Sequence, residues 1–79
     1  MDHKQKYDKV FIESFSLDKE KLKKNIEYNS IKQWDSVGHM SMIANLEEAF
    51  DIVFDMDDII DFSSYKTGIE ILKKYKINI

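Results

Sequence analysis

The chain has 79 residues, of which 43% are hydrophobic and 34% charged, and a net charge of -3; this is typical of one small soluble globular domain and excludes a disordered tail. Cysteine is absent, which excludes disulfides, thiolate metal ligands and a thiol nucleophile. No apolar run exceeds three residues, so the sequence predicts neither a signal peptide nor a membrane span, and the expected location is the cytoplasm.

Charge is distributed unevenly along the chain. Residues 1–34 hold eight Lys and six acids, residues 35–61 hold eight acids and no Lys, and residues 62–79 hold four Lys and one acid; the three segments carry +2, -8 and +3, which sum to -3. The acidic middle segment should repel nucleic acid and attract proteins with basic patches. We therefore expect no nucleic-acid partner.

The first predicted helix covers about residues 4–15. Tyr7, Val10, Phe11 and Phe15 follow the i, i+3, i+4, i+8 spacing of one apolar stripe. A long loop over residues 16–35 follows, and its spaced apolar residues could hold it against the core: Leu17, Leu22, Ile26, Tyr28, Ile31 and Trp34. A connection of this length in so small a domain is more often functional than idle.

The second helix, predicted over about residues 36–50, carries two apolar faces. At about 100° per residue, the core face comprises Met42, Ile43, Leu46, Ala49 and Phe50, and the roughly opposite face comprises Val37, Met40 and Ala44 with Ser41, Glu47 and Glu48. We define a docking strip of Val37, Met40, Ala44, Glu47, Glu48 and Asp51, in which an apolar patch is rimmed by carboxylates that a basic partner would contact. The alternative is that Val37 and Ala44 are scattered surface residues and that neighbouring helices bury Met40.

Two further helices complete the predicted fold. Asp55 or Asp57 can start a short third helix over about residues 56–61, and Ser63-Ser64 can cap a fourth over about residues 64–75. Tyr65, Ile69 and Leu72, with Tyr75 or Lys76, are expected to share one side of the fourth helix. Its Gly68 permits close helix approach, leaves internal space, or is a poorly optimised position. The expected fold class is all-α: a four-helix bundle of three main helices and one short one, in a single domain over residues 1–79.

Ser36, in the stretch QWDSVGHM, has three competing interpretations. As a hydrolase nucleophile it would need a base and an oxyanion hole; the G-x-S-x-G pattern lacks its first glycine, and His39 is better explained by packing or capping. As an N-cap it would satisfy a free backbone N–H. Asp35 could cap the helix equally well, and a phosphate ester on Ser36 would then lie at the positive end of the helix.

The segment D-S-V-G-H-M followed by I-A-N-L-E-E-A-F resembles the attachment segment of acyl carrier proteins, in which Asp-Ser-Leu opens a helix that ends Leu-Glu-Glu-x-Phe. The order of the predicted elements resembles this family over essentially the whole chain. The resemblance implies a four-helix carrier with 4'-phosphopantetheine covalently attached to Ser36 by a separate transferase, and Asp35 assisting that magnesium-dependent transfer. The departures are Val37 for the usual Leu, Gly38-His39 in the first turn, and Ser41 where an acid is common.

The resemblance also implies how the chain is used. It would perform no catalysis and would carry acyl groups as thioesters to enzymes of fatty acid, polyketide or related biosynthesis, which would dock through basic patches at the docking strip. We expect a monomer. The pantetheine thiol would supply what the missing cysteine cannot.

Two alternatives remain at this stage. D-alanyl, other aminoacyl and peptidyl carriers share the serine helix, and an unmodified helical interaction module would use Ser36 only as a cap. Asp55, Asp57 and Asp58 invite comparison with a calcium loop, but Ile59 and Ile60 stand where an EF-hand needs a ligand and a glycine. We therefore expect no dedicated metal site.

Overall fold

The structure is a computed structural model that describes residues 2–79. It contains four α-helices: α1 (His3–Phe15), α2 (Ser36–Phe50), α3 (Met56–Asp61) and α4 (Tyr65–Lys73). Within the described residues there is no β-strand, and one isolated antiparallel bridge joins Glu27 to Ser64. The prediction of a small all-α domain with four helices is therefore confirmed. None of these helices has both the length and the apolar character that crossing a bilayer requires.

The helix ends follow from local hydrogen bonding. Asp2 and Gln5 form a capping box at the start of α1. α1 and α2 end at Ser16 and Asp51, which adopt left-handed backbone conformations with φ of 52° and 54°. In each case the N–H of the next residue bonds to a carbonyl five residues back, which is the pattern of a Schellman end. The chain thus terminates its two longest helices without glycine or proline.

The long connection between α1 and α2 is more ordered than a loop over residues 16–35 suggests. It contains a 3₁₀ helix, Lys19–Lys23, and its backbone bonds to the link between α3 and α4, with Tyr28 N donating to Ser63 O at 2.8 Å. Four of its apolar side chains are buried: Leu17, Leu22, Ile26 and Trp34. Tyr28 was expected to help hold this segment to the core, but it is 40% exposed, because here the backbone makes the attachment.

The core combines aromatic rings from α1, α4 and the connections with the buried Met42, Ile43 and Leu46 of α2. Phe11 is fully buried, and its ring contacts the rings of Phe15, Trp34, Phe62 and Tyr65 at centroid separations between 5.3 and 6.3 Å. Such contacts combine large apolar burial with favourable ring geometry. This cluster fixes the relative positions of α1, α4 and the segment that leads into α2.

The buried face of α4 differs from the predicted one. It comprises Tyr65, Gly68, Ile71 and Leu72, whereas Ile69 is only half-buried. A Cβ on Gly68 would lie 2.2 Å from both the Phe62 ring and the Tyr7 hydroxyl. The glycine is therefore required for close approach, and the space beside it is already filled. Lys76 is exposed, because α4 ends at Lys73.

α3 is attached to the end of α4 by a carboxylate that the sequence did not single out as buried. Asp58 is 3% exposed, and it accepts hydrogen bonds from Lys74 Nζ at 2.5 Å and from the Tyr75 hydroxyl at 2.6 Å. The hydrogen bond from Lys74, and then the one from Tyr75, hold the pKa of Asp58 below its ordinary value. Both carboxylate oxygens of Asp58 are thus engaged within the fold.

Candidate functional site

Asp35 is the N-cap of α2. Its backbone is extended, and its Oδ1 accepts a hydrogen bond from Gly38 N at 2.8 Å. Its carbonyl accepts from His39 N, also at 2.8 Å. The Asp35 side chain therefore satisfies one of the N–H groups that a helix start leaves free, and its carbonyl accepts the first hydrogen bond within the helix.

Ser36 is the first residue of α2 and is exposed. Its hydroxyl makes no hydrogen bond within residues 2–79, since the capping bond belongs to Asp35. The interpretation of Ser36 as the helix cap is therefore wrong. The structure leaves an accessible hydroxyl on the first turn of a helix, next to the N–H groups of Ser36 and Val37.

Gly38 allows the preceding loop to lie directly against this first turn. A Cβ at Gly38 would lie 2.0 Å from the carbonyl oxygen of Gln33. Any side chain there would push the loop away from the helix and displace Trp34, which is fully buried. Gly38 is thus a structural requirement of this loop.

His39 is engaged in packing and is not positioned as a base for Ser36. Trp34 Nε1 lies 2.9 Å from His39 Nδ1, and His39 Nε2 lies 2.8 Å from the carbonyl oxygen of Ile59. Both ring nitrogens are occupied, so neither can take a proton from the serine. His3 contacts Phe50 and the Asn78 carbonyl instead. The arrangement therefore has no serine-hydrolase pair among the described residues.

Ser36 stands at the rim of a groove of about 360 Å³ between α2 and α3. We call it the Ser36 groove. Its walls are largely apolar and include Met40, Met56, Ile59, Ile60 and Phe62. It is open to solvent rather than enclosed, which suits a ligand attached at its rim.

The side chains of the docking strip are exposed, except that of Glu47, which is half-buried. Val37 is 75% and Met40 53% exposed, and Ala44, Glu48 and Asp51 are exposed as well. Glu47 is half-buried, and its Oε2 accepts a hydrogen bond from Phe54 N at 2.9 Å. Glu47 therefore helps to hold the link between α2 and α3, which the spacing of residues on α2 could not reveal.

A second exposed apolar surface continues the docking strip across the groove. Val53, Met56 and Ile60, here called the α3 patch, are 80%, 71% and 70% exposed. All the large apolar side chains that are exposed in the described chain lie between residues 28 and 60. The sequence shows apolar residues at irregular spacing over residues 53–60. A helix of six residues is too short for hydrophobic periodicity to predict which of them are exposed.

Acidic residues surround both surfaces. Asp35, Glu48, Asp51, Asp55, Asp57 and Asp61 are exposed. Among the acids of residues 35–61, only Asp58 forms an ion pair within the described chain. Within residues 2–79, no three His, Asp or Glu side chains come together as a metal site. The surface around Ser36 is therefore apolar at its centre and negatively charged at its edge.

Comparisons with known protein families, curated proteins and solved structures found no match to this chain.

Proposed function

We propose that the chain is a non-catalytic acyl carrier that holds its cargo as a thioester on 4'-phosphopantetheine attached to Ser36. The observation that carries this proposal is the free hydroxyl of Ser36 on the first turn of α2, beside an aspartate that already caps the helix. A serine that only capped the helix would have its oxygen bonded to a backbone N–H. The D-S-V-G-H-M resemblance and the acidic surface point to the same function.

The residues around Ser36 fit such a group. The N–H groups of Ser36 and Val37 are in the first turn of α2, where an attached phosphate is favoured by free donors and by the helix dipole. Asp35 uses only Oδ1 in its cap, which leaves Oδ2 available to a cation such as the magnesium of the transfer reaction. When attached, the group supplies a thiol to a chain that contains no cysteine.

The surface around Ser36 suits protein partners that bring basic residues. The docking strip and the α3 patch place exposed apolar side chains on both sides of the groove, with unpaired carboxylates around them. Apolar contact at the centre with opposite charges at the rim is a common arrangement for transient recognition. We infer that the transferase and the acyl-handling enzymes use this surface.

The wall chemistry of the Ser36 groove favours an aliphatic cargo over an amino acid. The lining is mostly apolar, including Met40, Met56 and Ile60, and it contains no carboxylate that could pair with a charged ammonium group inside the groove. Aminoacyl and peptidyl carriers remain the second candidate, to be separated by the mass of the loaded protein isolated from its own cells. A fatty or polyketide acyl group is the expected result.

The decisive assay is intact mass spectrometry after incubation with coenzyme A, magnesium and a promiscuous phosphopantetheinyl transferase. The wild type should gain one phosphopantetheine and Ser36→Ala should gain none. Ser41→Ala is the matched control, because Ser41 is an exposed serine in the middle of the same helix; this variant should be modified like the wild type.

Stability measurements make a negative result interpretable. Ser36→Ala should unfold at the wild-type urea concentration, whereas Asp35→Ala should lose about 1 kcal/mol because it removes the cap. Modification of Ser36→Ala, or no modification of folded wild type, would contradict the proposal. In the second case an unmodified interaction module would be the better description, since the apolar and acidic surface does not depend on the modification.

A further inference from the structure

His39 joins three parts of the molecule through two hydrogen bonds. Trp34 Nε1 can only donate, so His39 Nδ1 must accept; the Ile59 carbonyl can only accept, so His39 Nε2 must carry the proton. The side chain is therefore a neutral imidazole in one defined tautomer. It connects the buried indole of Trp34, which precedes α2 in the chain, to the backbone of α3.

The hydrogen bond from His39 gives a partner to the Ile59 carbonyl of α3. The Ile59 carbonyl lies in the last turn of a six-residue helix, where carbonyls lack partners within the helix. The N-cap of α3, Asp55, makes no side-chain capping bond. On the side facing α4, α3 is held by Asp58 through Lys74 and Tyr75. On the side facing α2, His39 is the side chain that bonds to its backbone.

The same imidazole forms part of the wall of the Ser36 groove. Its ring meets Tyr28 edge-on at 5.6 Å and stacks beside Trp34 at 6.2 Å, and it also meets Phe62 edge-on at 6.2 Å. His39 and Ile59 therefore line the same groove, and the hydrogen bond between them joins its two sides. A ligand that separates α2 from α3 at this point would lengthen that bond.

We propose that His39 is a positioning residue that fixes α3 against α2 and so sets the opening of the Ser36 groove. Entry of an apolar chain breaks the bond to Ile59 and changes the environment of the Trp34 indole. Trp34 then reports occupancy of the groove. The part that concerns cargo rests on the proposed function, whereas the positioning of α3 can be tested on the unmodified protein.

The first test compares His39→Phe with wild type, without any cofactor. Phenylalanine keeps a ring but removes both hydrogen bonds. Backbone hydrogen exchange at Ile59 and Phe62, whose N–H groups bond to Asp55 and Asp58, should accelerate about tenfold, the factor expected from the loss of one hydrogen bond. Amides of α1 should exchange as in wild type, and the indole N–H signal of Trp34 should move.

Two further variants complete this test. His39→Gln can accept from the indole and donate to the carbonyl, so it should restore slow exchange in α3. His39→Met, an adaptable apolar side chain, repeats the removal of both bonds if the phenylalanine ring is not accommodated. Unchanged exchange in α3, or an equal acceleration in α1 and α3, would overturn the positioning role.

The second test uses protein with an acylated arm on Ser36. The Trp34 indole signal should shift when the arm carries a medium-length aliphatic chain and stay in place when the arm ends in a free thiol. No shift with the acyl chain would overturn the coupling between groove and indole. Failure of Ser36 to accept the arm would instead contradict the proposed function, while the exchange result for α3 would stand.

Discussion

The buried core around α1 and the surface where α2 and α3 line a groove use their apolar residues in opposite ways. In the first, Tyr7, Phe11 and Phe15 are completely buried. In the second, Val37, Val53 and similar side chains face solvent among unpaired carboxylates. Burial concentrates stability in the core, whereas the surface at α2 and α3 leaves apolar side chains uncovered.

Two surface depressions, one beside α1 and one between α2 and α3, differ in the chemistry of their lining. A depression of about 820 Å³ lies between α1 and the 3₁₀ helix, and much of its lining is charged, including Lys4, Asp8, Lys9 and Lys23. The Ser36 groove has less than half that volume, about 360 Å³, but it combines apolar walls with an accessible hydroxyl. The chemistry of the lining, rather than volume, favours the smaller one as the candidate site.

The largest expected effect follows from truncating the aromatic core. Phe11→Ala should lower the free energy of unfolding by about 4 kcal/mol, because it removes a fully buried ring and leaves a cavity. Met40→Ala, on the exposed α2 surface, should change it by less than about 0.5 kcal/mol. Urea unfolding followed by circular dichroism measures both. Comparable losses would abolish the distinction between the two regions.

The next largest effect concerns the hydrogen bonds of Asp58 with Lys74 and Tyr75, which hold α3 against the end of α4. Asp58→Asn should lower the free energy of unfolding by about 2 kcal/mol, because it weakens hydrogen bonds to a buried charged acceptor. Asp57→Asn is the matched control: Asp57 is exposed on the same helix, so its replacement should be nearly neutral. Equal unfolding midpoints for the two variants would show that α3 does not depend on this contact.

The Asp58 carboxylate makes the free energy of unfolding depend on pH, and the sign follows from its pKa. Because Lys74 and then Tyr75 hold the pKa of folded Asp58 below its ordinary value of 3.8, its contribution is fully present well above pH 3.8 and is lost as the pH falls through the lower folded value. Wild type should therefore lose more stability on acidification than Asp58→Asn does. Parallel acid-unfolding curves for the two proteins would count against the assignment.

The smallest effect separates two neighbouring glutamates of the docking strip. Glu47→Ala should lose about 1 kcal/mol because its carboxylate accepts from Phe54 N. Glu48→Ala should be neutral for unfolding and should weaken binding to a basic partner such as the transferase. If Glu47→Ala proved as stable as Glu48→Ala, the link between α2 and α3 would not need this bond.

The four helices could be predicted because their signals are local. The apolar stripe of α1 and the capping residues before α2 and α4 act within one or two turns. Asp35-Ser36 could be recognised as a helix start, but which residue caps and which remains free depends on the backbone of Asp35. That choice becomes visible only in the folded chain.

The remaining features depend on contacts between residues distant in sequence. From the sequence alone Asp58 looks like a surface acid, because its partners Lys74 and Tyr75 lie 16 and 17 residues further along the chain. His39 likewise finds its acceptor at Ile59, 20 residues away. Gly38 and Gly68 are explained only by the atoms that approach them, and no periodicity in the sequence carries that information.

The central claim is that function resides where α2 meets α3 and begins at Ser36. It is tested most directly by mapping backbone amide NMR shifts between the unmodified protein and the protein carrying phosphopantetheine. Shifts should cluster at the start of α2 and along α3, and the outer face of α1 should be unaffected. Shifts centred on α1 and the 3₁₀ helix, or a folded protein that accepts no phosphopantetheine, would contradict the claim.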